Sequence, residues 1–290
     1  MRDVANRTAF ITGGAGGIGR ALAKALLEKG ASVMICDIER DALDDAVNEL
    51  RSTSSEIEGV VCDVADRDAV FRAARTTRER FGEVHILCNN AGVSRAGAIE
   101  RIHELDWQWV LGVNLMGTVH GIQAFLPSMK ACDEECHIVN TSSMVGLVGG
   151  ALSGPYAATK FGIVGITEVL AAELAGTKVG VSVLCPSWVR TRMTDNGRNR
   201  PEHFGGPFTL QDDVENEERN ARYVALAELG LDPIEVAEMV YAAIIEGHRY
   251  IFTHPGERAT LDEKTALLSA GFDAADRRRK SSATGTEREP

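Results

Sequence analysis

Residues 8–28, TAFITGGAGGIGRALAKALLE, combine an apolar run, a glycine-rich turn and a helical pattern. Gly13, Gly17 and Gly19 follow a predicted strand and open a predicted helix. Because glycine has no side chain, the backbone of such a turn can closely approach a pyrophosphate, whose charge then faces the helix N-terminus. A glycine triplet by itself also fits an ordinary tight turn between a strand and a helix. The residues around the turn therefore decide its meaning.

Short apolar runs alternate with helical patterns along most of the chain. The predicted strands are residues 8–11, 32–36, 59–62, 85–88, 137–141, 179–185 and 250–253. The predicted helices are residues 17–28, 40–51, 66–81, 106–129, 156–175 and 233–246. This alternation predicts an α/β fold, a Rossmann-type doubly wound, seven-stranded parallel sheet with helices on both faces. Ligands of this architecture bind at the carboxyl ends of the strands, where we expect the chemistry.

We expect a single domain over residues 1–275, because no repeat or linker rich in proline, glycine or serine divides the chain. The polar stretch 191–229, with the acidic run 212–218, interrupts the alternation and is predicted to be an insertion rather than a sheet element. Residues 276–290 carry a cluster of arginines and a lysine, and they are predicted to form a disordered, charged tail.

Composition excludes several classes of protein. The 290-residue chain is 44% hydrophobic and 25% charged, which is usual for a globular protein with a sizeable core. Its formal net charge of −11 argues against nucleic acid as a partner, since proteins that bind the phosphate backbone carry a basic surface. No apolar run reaches the roughly 18 residues of a membrane span, and no signal-peptide core follows Met1. A cytoplasmic protein without a membrane partner is expected.

The six cysteines lie mostly in or beside apolar runs, where free cysteine behaves as a small hydrophobe. Only Cys132 and Cys136 are closely spaced. No second pair of histidines or cysteines completes four ligands at a usual zinc spacing, so no metal site is predicted.

An acidic residue closes the second predicted strand, about twenty residues after the glycine turn. This residue, Asp37, can accept hydrogen bonds from the adenosine ribose diol and would repel a 2′-phosphate, so NAD is favoured over NADP. After the third strand, Asp63 and Val64 are candidates for contact with the adenine edge. The alternative for Asp63 is that it caps the helix that begins near Asp66.

Tyr156 and Lys160 are one turn apart on a predicted helix and therefore lie on one face. A phenol has an ordinary pKa of about 10, and a neighbouring ammonium group favours the phenolate. The three N–H donors of Lys160 can also reach a ribose hydroxyl. With Ser143 thirteen positions before the tyrosine, this set suits proton transfer alongside hydride transfer to a nicotinamide.

The chain resembles the short-chain dehydrogenases/reductases over nearly all of residues 8–253. The matching residues are the TGGAGGIG stretch at 12–19, Asp63, the NNAG stretch at 89–92, Asn114, Ser142 and Ser143, Tyr156, and Lys160. The resemblance implies that Tyr156 is the general acid/base and that Ser143 steadies the substrate oxygen. It further implies that Lys160 holds the nicotinamide ribose and lowers the pKa of Tyr156, and that Asn114 supports a water-linked proton relay.

The resemblance also implies a cofactor site for NAD. Its residues would be Gly13, Gly17, Ile18, Gly19, Asp37, Asp63, Val64, Asn90, Ala91, Gly92, Tyr156, Lys160, Pro186, Val189 and Thr191. Val189 and Thr191 would contact the carboxamide, and Asn90 would be mainly structural. The chain departs from the family at Ser187, where glycine is usual, and serine makes a positive φ less accessible.

An apolar and aromatic set of residues suits a bulky substrate. The candidate wall residues are Ser94, Met144, Val145, Leu152, Trp188, Met193, Phe204 and Phe208. The alternative for each is simple packing in the core. The stretches 154–156, 200–205 and 214–218 resemble the bacterial Cα-dehydrogenases, which oxidise the benzylic alcohol of lignin-derived β-aryl ethers with NAD. The substrate would then be a hydrophobic alcohol, and the product its ketone.

Two other functions remain open at this point. One is a dehydrogenase of another hydrophobic secondary alcohol, such as a hydroxysteroid or a cyclic terpenoid alcohol. The other is an NAD-binding scaffold or sensor without turnover, against which the complete set of Ser143, Tyr156 and Lys160 argues. The predicted helices 106–129 and 156–175 are rich in small apolar residues, and together with the resemblance they favour a homodimer or homotetramer.

Overall fold

The structure is a computed structural model that describes residues 1–209 and 217–285. The chain divides into two compact units, Met1–Thr253 and His254–Pro290. The first unit contains the whole sheet, and the second contains one long helix. The sheet is complete at residue 253, and most described side chains of the second unit are exposed, while the single domain over residues 1–275 stays a prediction.

The first unit alternates strands and helices. Its strands are β1 (Thr8–Thr12), β2 (Ser32–Asp37), β3 (Ile57–Val61), β4 (Ile86–Asn89), β5 (Cys136–Thr141), β6 (Val179–Cys185) and β7 (Tyr250–Phe252). Its α-helices are α1 (Gly17–Glu28), α2 (Arg40–Leu50), α3 (Arg67–Phe81), α4 (Glu104–Val110), α5 (Gly117–Ala131), α6 (Gly154–Glu173), α7 (Glu217–Glu228) and α8 (Pro233–Glu246). Short 3₁₀ helices lie at Met144–Gly146, Arg192–Asn199 and Glu202–Phe204, and a further 3₁₀ turn, Pro255–Glu257, precedes α9 (Arg258–Gly285) in the second unit.

All seven strands are parallel and lie in the order β3-β2-β1-β4-β5-β6-β7. The predicted doubly wound sheet is confirmed. The strand order reverses where β1 and β4 lie side by side, so a crevice opens at their carboxyl ends. One apolar layer contains Ile11, Leu22 and Val240, and another contains Phe10 packed against Phe125 with tilted rings and centroids 4.6 Å apart.

The predicted helix 106–129 consists of α4, a π-helical turn at Leu111–Met116, and α5. A π turn accommodates an extra residue within a helix and is common at functional sites. Among the described residues, Glu104–Ala131 is the one stretch that is long and apolar enough to cross a membrane. Half of its most apolar window is buried inside the protein, as in the core helix of a globular fold.

The polar stretch 191–229 contains no sheet strand among its described residues, as predicted. It forms two 3₁₀ helices and α7, while residues 210–216, with most of the acidic run and of the stretch 214–218, lie outside the described residues. The predicted disordered tail is wrong for residues 276–285, which continue α9. Alanine, arginine and lysine are good helix formers, and their propensity outweighs the charge that suggested disorder.

Candidate active site

The glycine-rich turn joins β1 to α1 at the crevice. Gly13 and Gly17 have positive φ angles of 65° and 52°, which side chains disfavour. A Cβ on Gly19 would lie 2.1 Å from the Gly13 carbonyl oxygen, so the turn requires glycine there. Gly16 caps α1 without a side-chain hydrogen bond, and the first turn of α1 carries no acidic residue. The N-terminus of α1 is therefore suited to an anionic group such as a pyrophosphate.

Hydrogen bonds from Thr12 join the end of β1 to the end of β4. The Thr12 hydroxyl accepts from the backbone N–H groups of Asn90 and Ala91, both at 2.9 Å. The Asn90 amide donates to the Thr12 carbonyl at 3.0 Å. Gly92 follows, and a Cβ there would lie 3.5 Å from both Lys160 Nζ and Asn114 Oδ1. Asn90 thus has the structural contacts expected of it.

Asp37 lies at the end of β2, beside the glycine turn. Its carboxylate accepts hydrogen bonds from the backbone N–H groups of Ala15 at 3.1 Å and Glu39 at 3.2 Å. Burial raises the pKa of Asp37, although these hydrogen bonds oppose the shift. The Asp37 carboxylate is therefore a hydrogen-bond acceptor beside the glycine turn, as the predicted contact with the adenosine ribose requires.

The helix cap after β3 is Asp66, which accepts from the backbone N–H groups of Asp68 and Ala69. Asp63 instead accepts from the Ala65 N–H at 2.9 Å, so the capping alternative does not apply to it. Val64 is buried. Contact of Asp63 and Val64 with the adenine edge stays a prediction.

Ser143, Tyr156 and Lys160 come together at the carboxyl ends of β5 and β6. Tyr156 lies in the first turn of α6, close enough to Ser143 for the serine to act on the pKa of the phenol. The Lys160 ammonium donates to the Thr141 carbonyl at 2.8 Å and lies 5.3 Å from the centre of the Tyr156 ring. The neighbouring Ser142 hydroxyl instead donates to the Lys160 carbonyl, which agrees with the choice of Ser143 as the serine facing the tyrosine.

Burial shifts both ionisable groups toward their neutral forms. It raises the pKa of Tyr156 to about 12, against the hydrogen bond with Ser143, which acts to lower it. It lowers the pKa of Lys160 to about 8. The expected lowering of the tyrosine pKa by Lys160 is therefore not found in this structure, because the loss of solvation dominates and the ammonium is directed to Thr141.

Asn114 is fully buried in the π-helical turn. Its side-chain oxygen accepts from the Val93 N–H at 2.8 Å, and its amide donates to the Val93 carbonyl at 2.9 Å and to Thr159 Oγ1 at 3.1 Å. Asn114 therefore joins the loop after β4 to α6. These bonds use the side chain, and the predicted proton relay through Asn114 stays a prediction.

Beyond β6, Pro186 accepts hydrogen bonds at its carbonyl from Met144 N–H at 2.9 Å and Ser143 Oγ at 3.3 Å. Ser187 does not have a positive φ angle; among the described residues only Asn6 and Leu152 have one without being glycine. The concern raised by serine at this position is thereby removed. Thr191 approaches the turn, since its methyl group would lie 2.9 Å from a Cβ on Gly17.

A model of the short-chain dehydrogenase family matches residues 7–202. The chain belongs to this family. A Cα-dehydrogenase from Sphingobium sp. strain SYK-6 is 35% identical over 264 residues, which cover 91% of this chain and 85% of that protein. A short-chain dehydrogenase/reductase from Burkholderia phymatum, solved with NAD, has a TM-score of 0.86 and 36% identity, covering 92% of this chain and 97% of its own. The structure of apo LigD from the same Sphingobium strain has a TM-score of 0.76 and 31% identity, with 92% and 98% covered.

Because it belongs to this family, the protein is an oxidoreductase, and it is called the dehydrogenase below. Its predicted substrate wall stays a prediction, and the structure shows the surroundings of the wall residues. Trp188 forms an edge-to-face contact with Tyr223 of α7, with ring centroids 4.7 Å apart. Ser94 is tied to Asn196, and Val145 and Met193 are half-buried. Leu152 is 39% exposed and adopts a φ of 64°, a strained angle for leucine.

Met144 and the two phenylalanines favour the packing alternative. Met144 is buried against Ile163 and Val183 in the core. Phe204 and Phe208 pack partly against Trp109 and Val93, and the Phe208 ring lies edge-on to Trp109 at 5.9 Å. These three side chains therefore contribute to apolar packing.

Sequence reasoning missed Tyr223, which faces Trp188 and whose proximity acts to raise the pKa of Tyr156. It also missed the bonds that Asn196 makes to Ser94. Both residues lie in the insertion, where no periodic pattern indicates which side chains turn inward. Only the aromatic character of Tyr223 in a polar stretch could have drawn attention to it.

Among the described residues, His85, Cys132 and Glu134 form the one cluster with the composition of a metal site. His85 Nδ1 accepts from the Thr8 N–H, so its Nε2 carries the proton and donates to Glu134 at 2.6 Å. Arg7 also pairs with Glu134. A nitrogen that carries its proton cannot ligate a metal, so this donor set does not fit one.

The tight contact at Gly19 leads to a stability prediction for the dehydrogenase. Gly19→Ala should lower the free energy of unfolding by about 1–3 kcal/mol, because the new Cβ must displace the Gly13 carbonyl. Gly16→Ala is the matched control, since nothing lies within 4 Å of a Cβ there and its φ is −158°. Urea unfolding of both variants measures the difference, and equal stabilities would contradict the described turn.

A second prediction concerns Lys160 and pH. Because its folded pKa of about 8 is below the ordinary 10.5, the unfolded chain holds more protons between these values, and folded stability rises with pH across that window. Relative to Lys160→Met, the wild type should gain on the order of 3 kcal/mol over the window. Denaturant unfolding across that pH range, with Lys24→Met at an exposed site as the control, makes the measurement. A difference that does not change with pH would contradict the burial of the ammonium.

Proposed function

We propose that the dehydrogenase uses NAD to oxidise a bulky aromatic secondary alcohol to its ketone. The observation that carries the proposal is the convergence of Ser143, Tyr156 and Lys160 at the crevice that the glycine turn borders. A protein that only bound a dinucleotide would have no use for a partly buried phenol beside a buried ammonium. This set therefore favours turnover over a scaffold or sensor role.

The substrate hydroxyl would bind between Ser143 and Tyr156. Ser143 donates or accepts a hydrogen bond at the substrate oxygen, and Tyr156 exchanges the hydroxyl proton as the carbinol carbon is oxidised. Lys160 would hold a ribose hydroxyl of the bound cofactor through its N–H donors. Bound NAD would supply the hydride acceptor. Proton transfer of this kind contributes roughly 10²- to 10⁴-fold to rate.

The choice of NAD rests on Asp37, whose carboxylate would accept from a ribose diol and repel a 2′-phosphate. The structure of the Burkholderia relative contains NAD, which supports the same choice. The residues that would hold the cofactor are the glycine turn, Asp37, Asp63 and the segments around Gly92 and Thr191. The orphan N–H groups at the start of α1 fit its pyrophosphate.

The aromatic pair Trp188 and Tyr223 supports an aromatic substrate, because edge and face contacts between rings are favourable. The Cα-dehydrogenase from Sphingobium, 35% identical to this chain, supports the benzylic alcohol of a lignin-derived β-aryl ether. The second candidate is a hydroxysteroid or cyclic terpenoid alcohol. It is supported by a 1-deoxy-11-beta-hydroxypentalenate dehydrogenase from Streptomyces avermitilis, which is 34% identical.

A homodimer or homotetramer in the cytoplasm completes the proposal. On α6, Phe161 is 37% and Val169 59% exposed, and Met116 in the π turn is 43% exposed. An apolar surface of this kind favours association between copies of the chain.

Tyr156→Phe should abolish turnover while leaving NAD binding intact, because the phenol oxygen transfers the proton and the ring remains. Calorimetric titration with NAD and a turnover assay measure the two effects. For the wild type, kcat/KM for oxidation should rise with pH, since burial raises the pKa of the base. Substantial turnover by Tyr156→Phe would contradict the role of this residue.

The substrate class is tested with a panel of a β-aryl ether benzylic alcohol, a hydroxysteroid, a cyclic terpenoid alcohol and simple 1-arylalkanols. Each is run with NAD and with NADP, and NADH or NADPH is followed by absorbance. We expect NAD-dependent oxidation of the aryl ether. Oxidation of the steroid or the terpenoid alcohol alone would favour the second candidate, and preference for NADP would contradict the role of Asp37.

A further inference from the structure

The segment 191–199 contacts both ends of the proposed cofactor site. We call it the strap; it consists of Thr191 and the 3₁₀ helix Arg192–Asn199. At its start, Thr191 approaches Gly17 of the glycine turn. In its middle, Asn196 accepts from the Ser94 N–H at 3.0 Å and donates to the Ser94 hydroxyl at 3.3 Å. These contacts tie the strap to the loop beside the substrate pocket.

The far end of the strap is tied to Glu39, the residue that caps α2. Arg198 donates to Glu39 through Nε at 3.1 Å and through Nη2 at 2.6 Å, so the pair is bidentate. Asn199 adds a bond to the same carboxylate at 2.9 Å. The Glu39 and Arg198 side chains are only 27% and 26% exposed, so the pair is better shielded from solvent than an ordinary surface ion pair.

Arg198 also holds the strap in its helical shape. Its Nη1 donates to the carbonyl of Asp195 at 2.7 Å and to that of Arg192 at 3.4 Å. All three guanidinium nitrogens of Arg198 therefore donate hydrogen bonds. Nε and Nη2 donate to Glu39, and Nη1 donates to carbonyl groups of the strap. Without the Glu39 carboxylate, the partly buried guanidinium would keep only the more distant Asp195 carboxylate, at 3.6 Å, as a counter-charge, and the strap would lose its attachment to α2.

Glu39 is joined directly to the residue assigned to the adenosine ribose. Its backbone N–H donates to Asp37 at 3.2 Å, and its carboxylate acts to raise the pKa of Asp37. Although burial acts to raise the pKa of Glu39 itself, the bonds from Arg198 and Asn199 hold it below its ordinary value. A chain of contacts thus runs from Asp37 through Glu39 and Arg198 to the strap and Ser94.

We propose that Glu39 and Arg198 are positioning residues that couple the adenosine end of the cofactor site to the strap beside the substrate pocket. The proposal rests on the proposed NAD-dependent function. NAD bound at Asp37 orders the strap through the Glu39 and Arg198 pair, and the ordered strap holds Ser94 for the substrate. Coupling between two sites is reciprocal, so substrate binding strengthens NAD binding by the same factor.

Hydrogen exchange measured by mass spectrometry tests this without knowledge of the substrate, with NAD as the probe. In the wild type, saturating NAD should slow amide exchange in residues 192–199 by about tenfold or more. In Glu39→Gln, with NAD again saturating, the slowing should fall below about twofold. Arg198→Met should show the same loss, and the double variant should lose no more, because the two residues act as one unit.

Glu58→Gln is the matched control. Glu58 lies on β3, and its carboxylate pairs with Arg51 and Arg80 rather than with the strap. Its replacement should leave the NAD-dependent slowing of exchange unchanged. With a substrate from the panel, Glu39→Gln should raise the KM of both NAD and alcohol severalfold while kcat stays within about twofold. A merely structural role would lower thermal stability without this split.

The outcomes separate the two proposals. Calorimetry that detects no NAD binding to the wild type overturns both of them. NAD binding with equal slowing of the strap in wild type, Glu39→Gln and Arg198→Met overturns the coupling and leaves the dehydrogenase function intact. Loss of the slowing in Glu39→Gln and Arg198→Met but not in Glu58→Gln, with NAD saturating throughout, establishes the coupling.

Discussion

The hydrogen bonds between Thr12 and the backbone of Asn90 and Ala91 hold together the two strands on which the site depends. These bonds lie where the strand order reverses, so no helix crosses over the gap between β1 and β4. The glycine turn extends from one side of this junction, and Gly92 with the loop to Asn114 extends from the other. The positions of both halves of the site therefore follow from one threonine side chain and its partners.

Buried polar groups at the site are almost all satisfied by named partners. Asn114 uses its side-chain oxygen and both amide protons, and the Lys160 ammonium donates to a strand carbonyl. Such networks fix side-chain positions because an unmade bond in a buried environment is costly. The same buried environment raises the pKa of Tyr156 and lowers that of Lys160, so both groups are shifted toward their neutral forms. The desolvation of Tyr156 and Lys160 opposes the charges that the chemistry uses.

The sequence predicted the sheet, its order of elements and the Ser143, Tyr156 and Lys160 set, because strand periodicity and helical spacing are local properties. It was wrong about residues 276–285, where helix propensity outweighs charge, and about a uniform helix over 106–129. It did not find the Glu39 and Arg198 pair, whose members are 159 positions apart. Nor did it separate Met144, a core residue, from Trp188, which contacts Tyr223, since both are large and apolar and only tertiary packing distinguishes them.

The π turn between α4 and α5 changes the direction in which the side chains of α4 point relative to those of α5. An α-helix turns by about 100° per residue, so one extra residue rotates α4 by that angle relative to α5. With this rotation Trp109 and Val110 are buried on one half while Phe125 and Met129 are buried on the other. The extra residue in the π turn at Leu111–Met116 therefore lets the helical segments before and after it bury different faces. Asn114 lies in the turn between them.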